Sequence, residues 1–169
     1  MTFTATVDQQ AMRDAMACWA SGVSVVTTTY ENAWKGTTAS AFVSISIDPP
    51  LVLICLASSL YTRRLIEDAG VFAVNVLNAR HQDLARIFAG MRPDIEDRFA
   101  YGTWQTAVTG SPVLTDACSW VDCSVVETLT HGDRTLFLGN VHAANALYGE
   151  PLVYNQRTWG TFLRFPENT

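Results

Sequence analysis

Charge is scarce in this chain. Only 16% of its 169 residues are Asp, Glu, Lys or Arg, and the 11 basic residues are outnumbered by 16 acidic ones. A net charge of −5 at pH 7 and a pI near 5.0 supply no basic field, so neither nucleic acid nor membrane is expected as a partner. No apolar run approaches the roughly 20 residues of a membrane span. The N-terminus lacks a basic-then-apolar signal pattern, and the expectation is a soluble, cytoplasmic protein. The signatures of hydrolases, zincins and P-loop enzymes (G-x-S-x-G, H-E-x-x-H, G-x-x-x-x-G-K-[ST]) are missing. G-x-G-x-x-G after a strand is missing too, so a nicotinamide would have to bind without a Rossmann unit. The four cysteines, Cys18, Cys55, Cys118 and Cys123, form no C-x-x-C. Cys118 and Cys123 are an odd number of positions apart on one expected strand and would face opposite sides of it. They are read as four buried, reduced thiols. His81, His131 and His142 show no ligand spacing, so no metal is expected. Asp94, Glu96 and Asp97 group only in an expected surface segment, and no residue is nominated as catalytic.

What the chain has in quantity is apolar residues, 49% of the total. A length of 169 residues suits one domain, 1–169, with a full core. So few charges leave apolar surface for a second subunit to cover, and a homodimer is expected. A helix is expected over 8–19, capped by Asp8, with Met12, Ala15, Met16 and Trp19 at three- and four-residue steps. Strands are expected at 23–29, 39–47, 51–56, 71–77, 119–128, 135–144, 152–154 and 158–163, with short helices at 60–68 and 80–89. In the second of these strands Ala41, Val43, Ile45 and Ile47 share one face, and Phe42, Ser44 and Ser46 share the other. Asp48-Pro49-Pro50 ends it, and Gly132-Asp133 reads as a turn. Residues 90–110 are weakly periodic and read as a surface excursion. Many strands at short intervals with helices as accessories suggest a mainly β chain in a closed or nearly closed barrel.

Two clusters of hydroxyls stand at the ends of neighbouring strands. Thr37, Thr38 and Ser40 form one; Ser58 and Ser59 form the other, followed by Thr62, Arg63 and Arg64 at the head of a helix. Helix-end amides, hydroxyls and a guanidinium can hold a phosphate. Ser59 as an ordinary N-cap with solvated arginines is the other reading of the same residues. Tyr148, Tyr154, Trp159, Phe162 and Phe88 could flank a planar ring or serve as core. Asn75, inside FAVNVL, is expected to tie down backbone.

The runs SGVSVVTT, TASAFVSISIDPPLVLICL, FAVNVL, LARIFAG, GSPVL, GDRTLFLGNV and PLVYNQRTW, in that order, resemble the flavin reductase family. The resemblance covers the chain from Met12 to Phe162. It implies a six-stranded antiparallel split barrel that dimerises and binds FMN or FAD near the subunit boundary. Reduced nicotinamide, NADH or NADPH, would give its hydride to the flavin, and the reduced flavin would pass to a separate flavin-dependent monooxygenase component. On this resemblance Thr37, Thr38, Ala39 and Ser40, with Ala57, Ser58, Ser59, Thr62 and Arg63, would hold the phosphate, ribityl chain and ring edge. Phe88, Tyr154 and Trp159 would border the flavin or nicotinamide pocket. The family's Gly-Asp-His is here Gly132-Asp133-Arg134. Arginine cannot titrate, so Arg134 would contact an anionic cofactor group, or mark a protein that binds and delivers flavin without reducing it. Asn32-Ala33-Trp34-Lys35 is bulkier than the family's glycine-containing hairpin, and its Trp34 would cap the flavin pocket or meet a partner.

Overall fold

Local turn and cap chemistry sets where each element starts. The computed structural model describes residues 7–165; residues 1–6 and 166–169 of the expected domain lie outside the described residues. Helix α1 (Gln9–Ala17) starts where expected, with the Asp8 carboxylate accepting the Ala11 N–H at 3.3 Å. None of its side chains is buried. Strand β1 (Ser21–Gly22) leads into β2 (Ser24–Tyr30), whose β-branched run suits a pleated, half-buried surface. Glu31 and Asn32 then take φ of 50° and 60°, the left-handed pair that a two-residue type I′ turn requires. The chain returns as β3 (Ala33–Ala39), with Thr29 opposite Trp34 and Val26 opposite Thr37. Trp34 therefore lies inside a strand rather than at a hairpin tip.

After a break at Ser40 and Ala41 come β4 (Phe42–Ser46) and β5 (Leu51–Ala57). Helix α2 (Tyr61–Ala69) ends at Gly70, which takes φ 68°. Strand β6 (Val71–Val76) and helix α3 (Gln82–Phe88) follow. The expected excursion carries a 3-10 turn (Arg98–Ala100) and β7 (Trp104–Thr106), which pairs with β8 (Pro112–Leu114). Two 13-residue strands, β9 (Ser119–His131) and β10 (Arg134–Ala146), are joined by the expected Gly132-Asp133 turn. β11 (Leu152–Asn155) and β12 (Thr158–Thr161) close the chain as a hairpin beside β1.

The main sheet has seven strands in the order β3-β2-β6-β9-β10-β5-β4, every pair antiparallel. This corrects the expected six-stranded barrel: the stretch read as one strand over 39–47 is the end of β3 and all of β4, separated by Ser40 and Ala41. The sheet curls strongly. β5 and β3 are five strand spacings apart, roughly 24 Å on a flat sheet. Yet α2, three residues after β5, packs on β2 and β3, and the Thr62 hydroxyl donates to the Gly36 carbonyl of β3 at 3.4 Å. The concave side holds Val26, Ile54, Ile66, Phe72, Val74 and Phe137, all fully buried. A second cluster, with Val25, Leu77, Ala85, Phe88 and Leu114, lies between the sheet and α3.

Strand β4 faces the opposite way from the simplest expectation. Phe42 packs on the concave core, whereas Val43, Ile45 and Ile47 are 51%, 50% and 86% exposed. Asn75 does tie down backbone: its amide donates to the Val25 carbonyl (3.0 Å) and its oxygen accepts the Leu114 N–H (2.7 Å). Cys118 and Cys123 are buried and Cys55 half-buried, but Cys18 is exposed, which corrects the reading of four buried thiols. Burial pushes the Cys123 thiol up to about 12. Among the described residues no helix is long and apolar enough to cross a membrane, and no group of three His, Cys, Asp or Glu could hold a metal.

Candidate functional site

The edge strand β3, the first turn of α2 and the C-terminal end of α3 converge on a cleft of about 480 Å³, within the size range of small-molecule pockets. Residues 96–99 cross its mouth. One wall is aromatic. Phe88 meets Phe99 edge-on at 5.1 Å and Trp104 at 5.5 Å, and Phe99 reaches Trp34 at 5.7 Å. Gly36 permits this: a Cβ there would lie 2.9 Å from the Phe88 ring.

The facing wall is polar and under-satisfied. Thr37 is 7% exposed, yet its hydroxyl has no hydrogen-bond partner among the described residues. Thr62 is 8% exposed and donates only its long bond to Gly36. Leu60, at the N-cap of α2, offers no capping side chain, so the amides of Tyr61 and Thr62, residues that line the cleft, have no acceptor among the described residues. The helix dipole adds positive potential at this spot. At the rim stand Lys35 and Arg98, neither within ion-pair distance of a carboxylate among the described residues. Glu96 and Asp97 line the same rim. The arrangement offers amides, hydroxyls and a cation to an anionic group at one end, and an aromatic wall to a planar group at the other.

The nominated residues divide. Thr37, Thr62 and Phe88 line the cleft together. Thr38 lies next to it, its hydroxyl donating to the Ala85 carbonyl at 2.6 Å. Ala39 is in the concave core, and Ser40 is exposed. Ser58, Arg63 and Arg134 belong to a separate place, around the fully buried Thr135. The Thr135 hydroxyl lies 3.0 Å from that of Ser58 and 3.2 Å from that of Thr130, and it accepts the Arg63 Nε–H at 3.1 Å. Arg63 also pairs with Glu67 at 2.9 Å, so its guanidinium is engaged within the protein. Ala57 lies opposite Arg134 across β5 and β10, and the Arg134 guanidinium is half-exposed with Asp133 at 3.7 Å. Ser59 is exposed. Tyr154 and Trp159 meet edge-to-face at 5.0 Å in the β11–β12 hairpin, away from the cleft lining.

Sequence reasoning missed Lys35, Gly36, Arg98 and Phe99 as cleft residues. Trp34 carried a signal as a bulky residue beside a turn. Phe99 carried only that of an aromatic in a polar segment.

Comparison with known proteins places these features in context. Residues 16–162 match the "Flavin reductase like domain" family. A "Probable flavin reductase" of Rhizobium meliloti is 41% identical over 138 residues, 80% of this chain and 43% of that protein, so the chain spans less than half of that relative's length. The "FMN reductase (NADH) RutF" of Acinetobacter baylyi is 39% identical over 90% of this chain and 81% of its own. Among solved structures, the NADH:FAD oxidoreductase of Streptomyces globisporus in complex with NAD and FAD fragments superposes with a TM-score of 0.83 at 29% identity, covering 95% of this chain and 94% of that one. The styrene monooxygenase flavin reductase of Pseudomonas putida S12 superposes with a TM-score of 0.80 at 28% identity, covering 92% and 99%.

Proposed function

Because this chain belongs to the flavin reductase family, a family of flavin oxidoreductases that use flavin and nicotinamide nucleotides, we propose that it reduces free FMN or FAD with NADH or NADPH. The reduced flavin then serves a separate flavin-dependent monooxygenase component, as the family neighbours that are monooxygenase reductases suggest. The observation that carries the reading is the pairing of walls in the cleft. The Thr37 hydroxyl, which has no hydrogen-bond partner among the described residues, and the open α2 amides stand across from the Phe88–Phe99–Trp34 aromatics.

Those residues fit a flavin mononucleotide unit. The Tyr61 and Thr62 amides and the Thr37 and Thr62 hydroxyls would receive the phosphate and ribityl oxygens. Phe99, with the buried Phe88 behind it, would shield a ring face and keep water from it. When bound, the flavin supplies the two-electron acceptor that the side chains lack. This accounts for a site with no general-acid or nucleophile constellation. Thr38, through Ala85, fixes α3 against β3 and so sets the distance between the walls. Ala39 in the concave core and Ser58 and Arg63 around Thr135 would act from behind the cleft, holding the strand ends that carry it. Tyr154, Trp159 and the half-exposed Arg134 would meet the bound cofactors from outside the cleft, Arg134 toward an anionic group.

The reading extends to the whole chain as one domain over 1–169, acting in the cytoplasm as a homodimer. Cross-strand pairs share a face, and the convex side of the sheet lines up Val43, Leu53 and Leu138 in one row and Cys55, Leu136 and Leu129 in the next. These side chains are exposed or half-buried. A second copy would cover them.

The test is direct. Purified protein is mixed with each flavin and each nicotinamide, and loss of the reduced nicotinamide absorbance is followed. Flavin-dependent oxidation well above the protein-free rate is expected; tight flavin binding with background oxidation would instead mark a delivery protein.

A further inference from the structure

We propose that residues 92–101 form a strap that swings off the cleft as a unit, so that its opening sets how fast flavin enters and leaves; this rests on the flavin reading of the cleft. Residues Glu96 to Phe99 of the strap line the cleft and cross its mouth. Glycines stand at both of its ends. Gly90 takes φ 75° and Gly102 φ 84°, backbone that can bend there without a Cβ in the way.

Between those ends the strap bonds mostly to itself. The Asp94 carboxylate accepts from Arg92 at 2.8 and 3.0 Å, Ile95 N–H donates to the Arg92 carbonyl at 3.2 Å, and Asp97 accepts the Phe99 N–H at 3.0 Å. Among the described residues only two hydrogen bonds leave it. The Arg98 guanidinium reaches the Phe88 carbonyl at a weak 3.5 Å, and at the hinge the Tyr101 carbonyl accepts the Trp104 indole N–H at 2.7 Å. What holds the strap down is packing, with Ile95 and Phe99 set against the cluster that contains Phe88. The next stretch of chain is fastened instead. β7 pairs with β8, Leu114 N–H donates to Asn75 at 2.7 Å, and the buried Asp122 carboxylate accepts the N–H groups of Val108 and Thr109 at 2.7 and 2.8 Å. Trp104, 5.5 Å from Phe88, therefore stays in place and keeps the core covered as Phe99 withdraws. Few external hydrogen bonds and few buried side chains mark a segment that opens locally, well below the cost of unfolding the sheet.

Ile95 is the place to test this, because it holds the strap without lining the cleft. Stopped-flow quenching of FMN fluorescence gives association and dissociation rate constants for the wild type, Ile95→Ala and Ile95→Asp. A gate that must open for passage in either direction speeds both directions alike when its shut state is weakened. Ile95→Ala is expected to raise both constants roughly tenfold while Kd stays within about twofold, and Ile95→Asp to raise both further. Unchanged constants in both variants overturn the proposal. So does faster dissociation alone with Kd rising in proportion, which marks a static wall. Trypsin supplies a readout that needs no flavin. Pro93 blocks cleavage after Arg92, which leaves the bond between the half-buried Arg98 and Phe99 as the strap's one tryptic site. Native wild-type protein is expected to be cut there, and both variants to be cut faster in the same order as their flavin rates. Equal cutting of all three proteins overturns the strap whether or not FMN binds. Failure of FMN to bind the wild type would sink the flavin reading instead, and the trypsin rates would still decide whether the strap opens.

Discussion

Two buried residues act in opposite senses, and each can be tested alone. Thr37 keeps a hydroxyl with no protein partner on a β-strand where its opposite neighbour is Val26. Valine has nearly the same shape and suits the strand, so Thr37→Val should leave the unfolding midpoint unchanged or slightly raised. A hydrogen bond to a charged group is worth about 1.5 to 3 kcal/mol, so the same variant should weaken FMN roughly ten- to hundredfold, as read by flavin fluorescence quenching. Cys123 is the reverse case, a group whose burial serves packing only. Its thiol is pushed up to about 12, first by desolvation and then by neighbouring Asp122. A raised acid pKa gives stability that is full below the unfolded value and lost as pH rises through the folded one. Between about pH 9 and 12 the unfolded chain releases this proton while the folded chain holds it. Urea unfolding of the wild type should therefore lose stability faster over that window than Cys123→Ala, so that the gap between the two narrows as pH rises.

At the scale of elements, close approach across the sheet is what sequence reading sees least. Gly139 lies on β10, where the pairing with β9 shifts register between Leu138 and Gly139. A Cβ at that position would meet the Phe72 ring, one atom at 2.8 Å, and the Cys123 Cβ at 3.1 Å. Both neighbours are fully buried and cannot withdraw. Gly139→Ala should thus cost about 1 to 3 kcal/mol by overpacking, seen as a lower urea midpoint with an unchanged slope. Nothing in GDRTLFLGNV marks that glycine as special. Features written in local chemistry were legible: the Asp8 cap, the Gly132-Asp133 turn, the stop at Asp48-Pro49-Pro50 and the β-branched β2. Strand β3 was not, because Asn32-Ala33-Trp34-Lys35 was read as a bulky hairpin and residues 33–38 were assigned to no strand, so one strand of the main sheet was lost from the count. Alternation on β4 separated its two faces but could not say which one faced the core. Phe42 went inward because it lies opposite the fully buried Ile54, a fact of pairing that no single strand contains. The cleft has the same origin. Thr37, Thr62 and Phe88 were marked by residue type and family likeness. Trp34 and Phe99, 65 positions apart in the chain, became one wall only through folding.

For the whole molecule, the decisive quantity is the apolar area left on the convex face. Val43 and Ile45 on β4 and Ile47 just beyond it are exposed, and Leu53 on β5 and Leu136 and Leu138 on β10 are half-buried. Contiguous apolar surface of this kind is uncommon on a monomer. In a chain with so few charges it is more simply explained by self-association than by solvent. A two-fold dimer would place each copy's β4 against the other's sheet. The cleft lies on the β3 side, and β3 and β4 are joined through Ser40 and Ala41 alone, so the dimer boundary would run close to the flavin. A double variant, Val43→Glu with Ile45→Lys, changes only residues that are exposed in the single chain. It should leave the circular dichroism spectrum of the fold intact, because neither side chain contributes to the buried core. Sedimentation should then show the wild type at about twice 18.6 kDa and the variant near the mass of one chain. If Ser40 and its neighbours depend on the partner for their position, flavin affinity should fall with the loss of the dimer. A variant that is monomeric with full flavin affinity would confine the site to a single chain. A wild type that sediments as a monomer at micromolar concentration would remove the dimer altogether, and the exposed strip on β4 would then have to be the landing surface for a different protein.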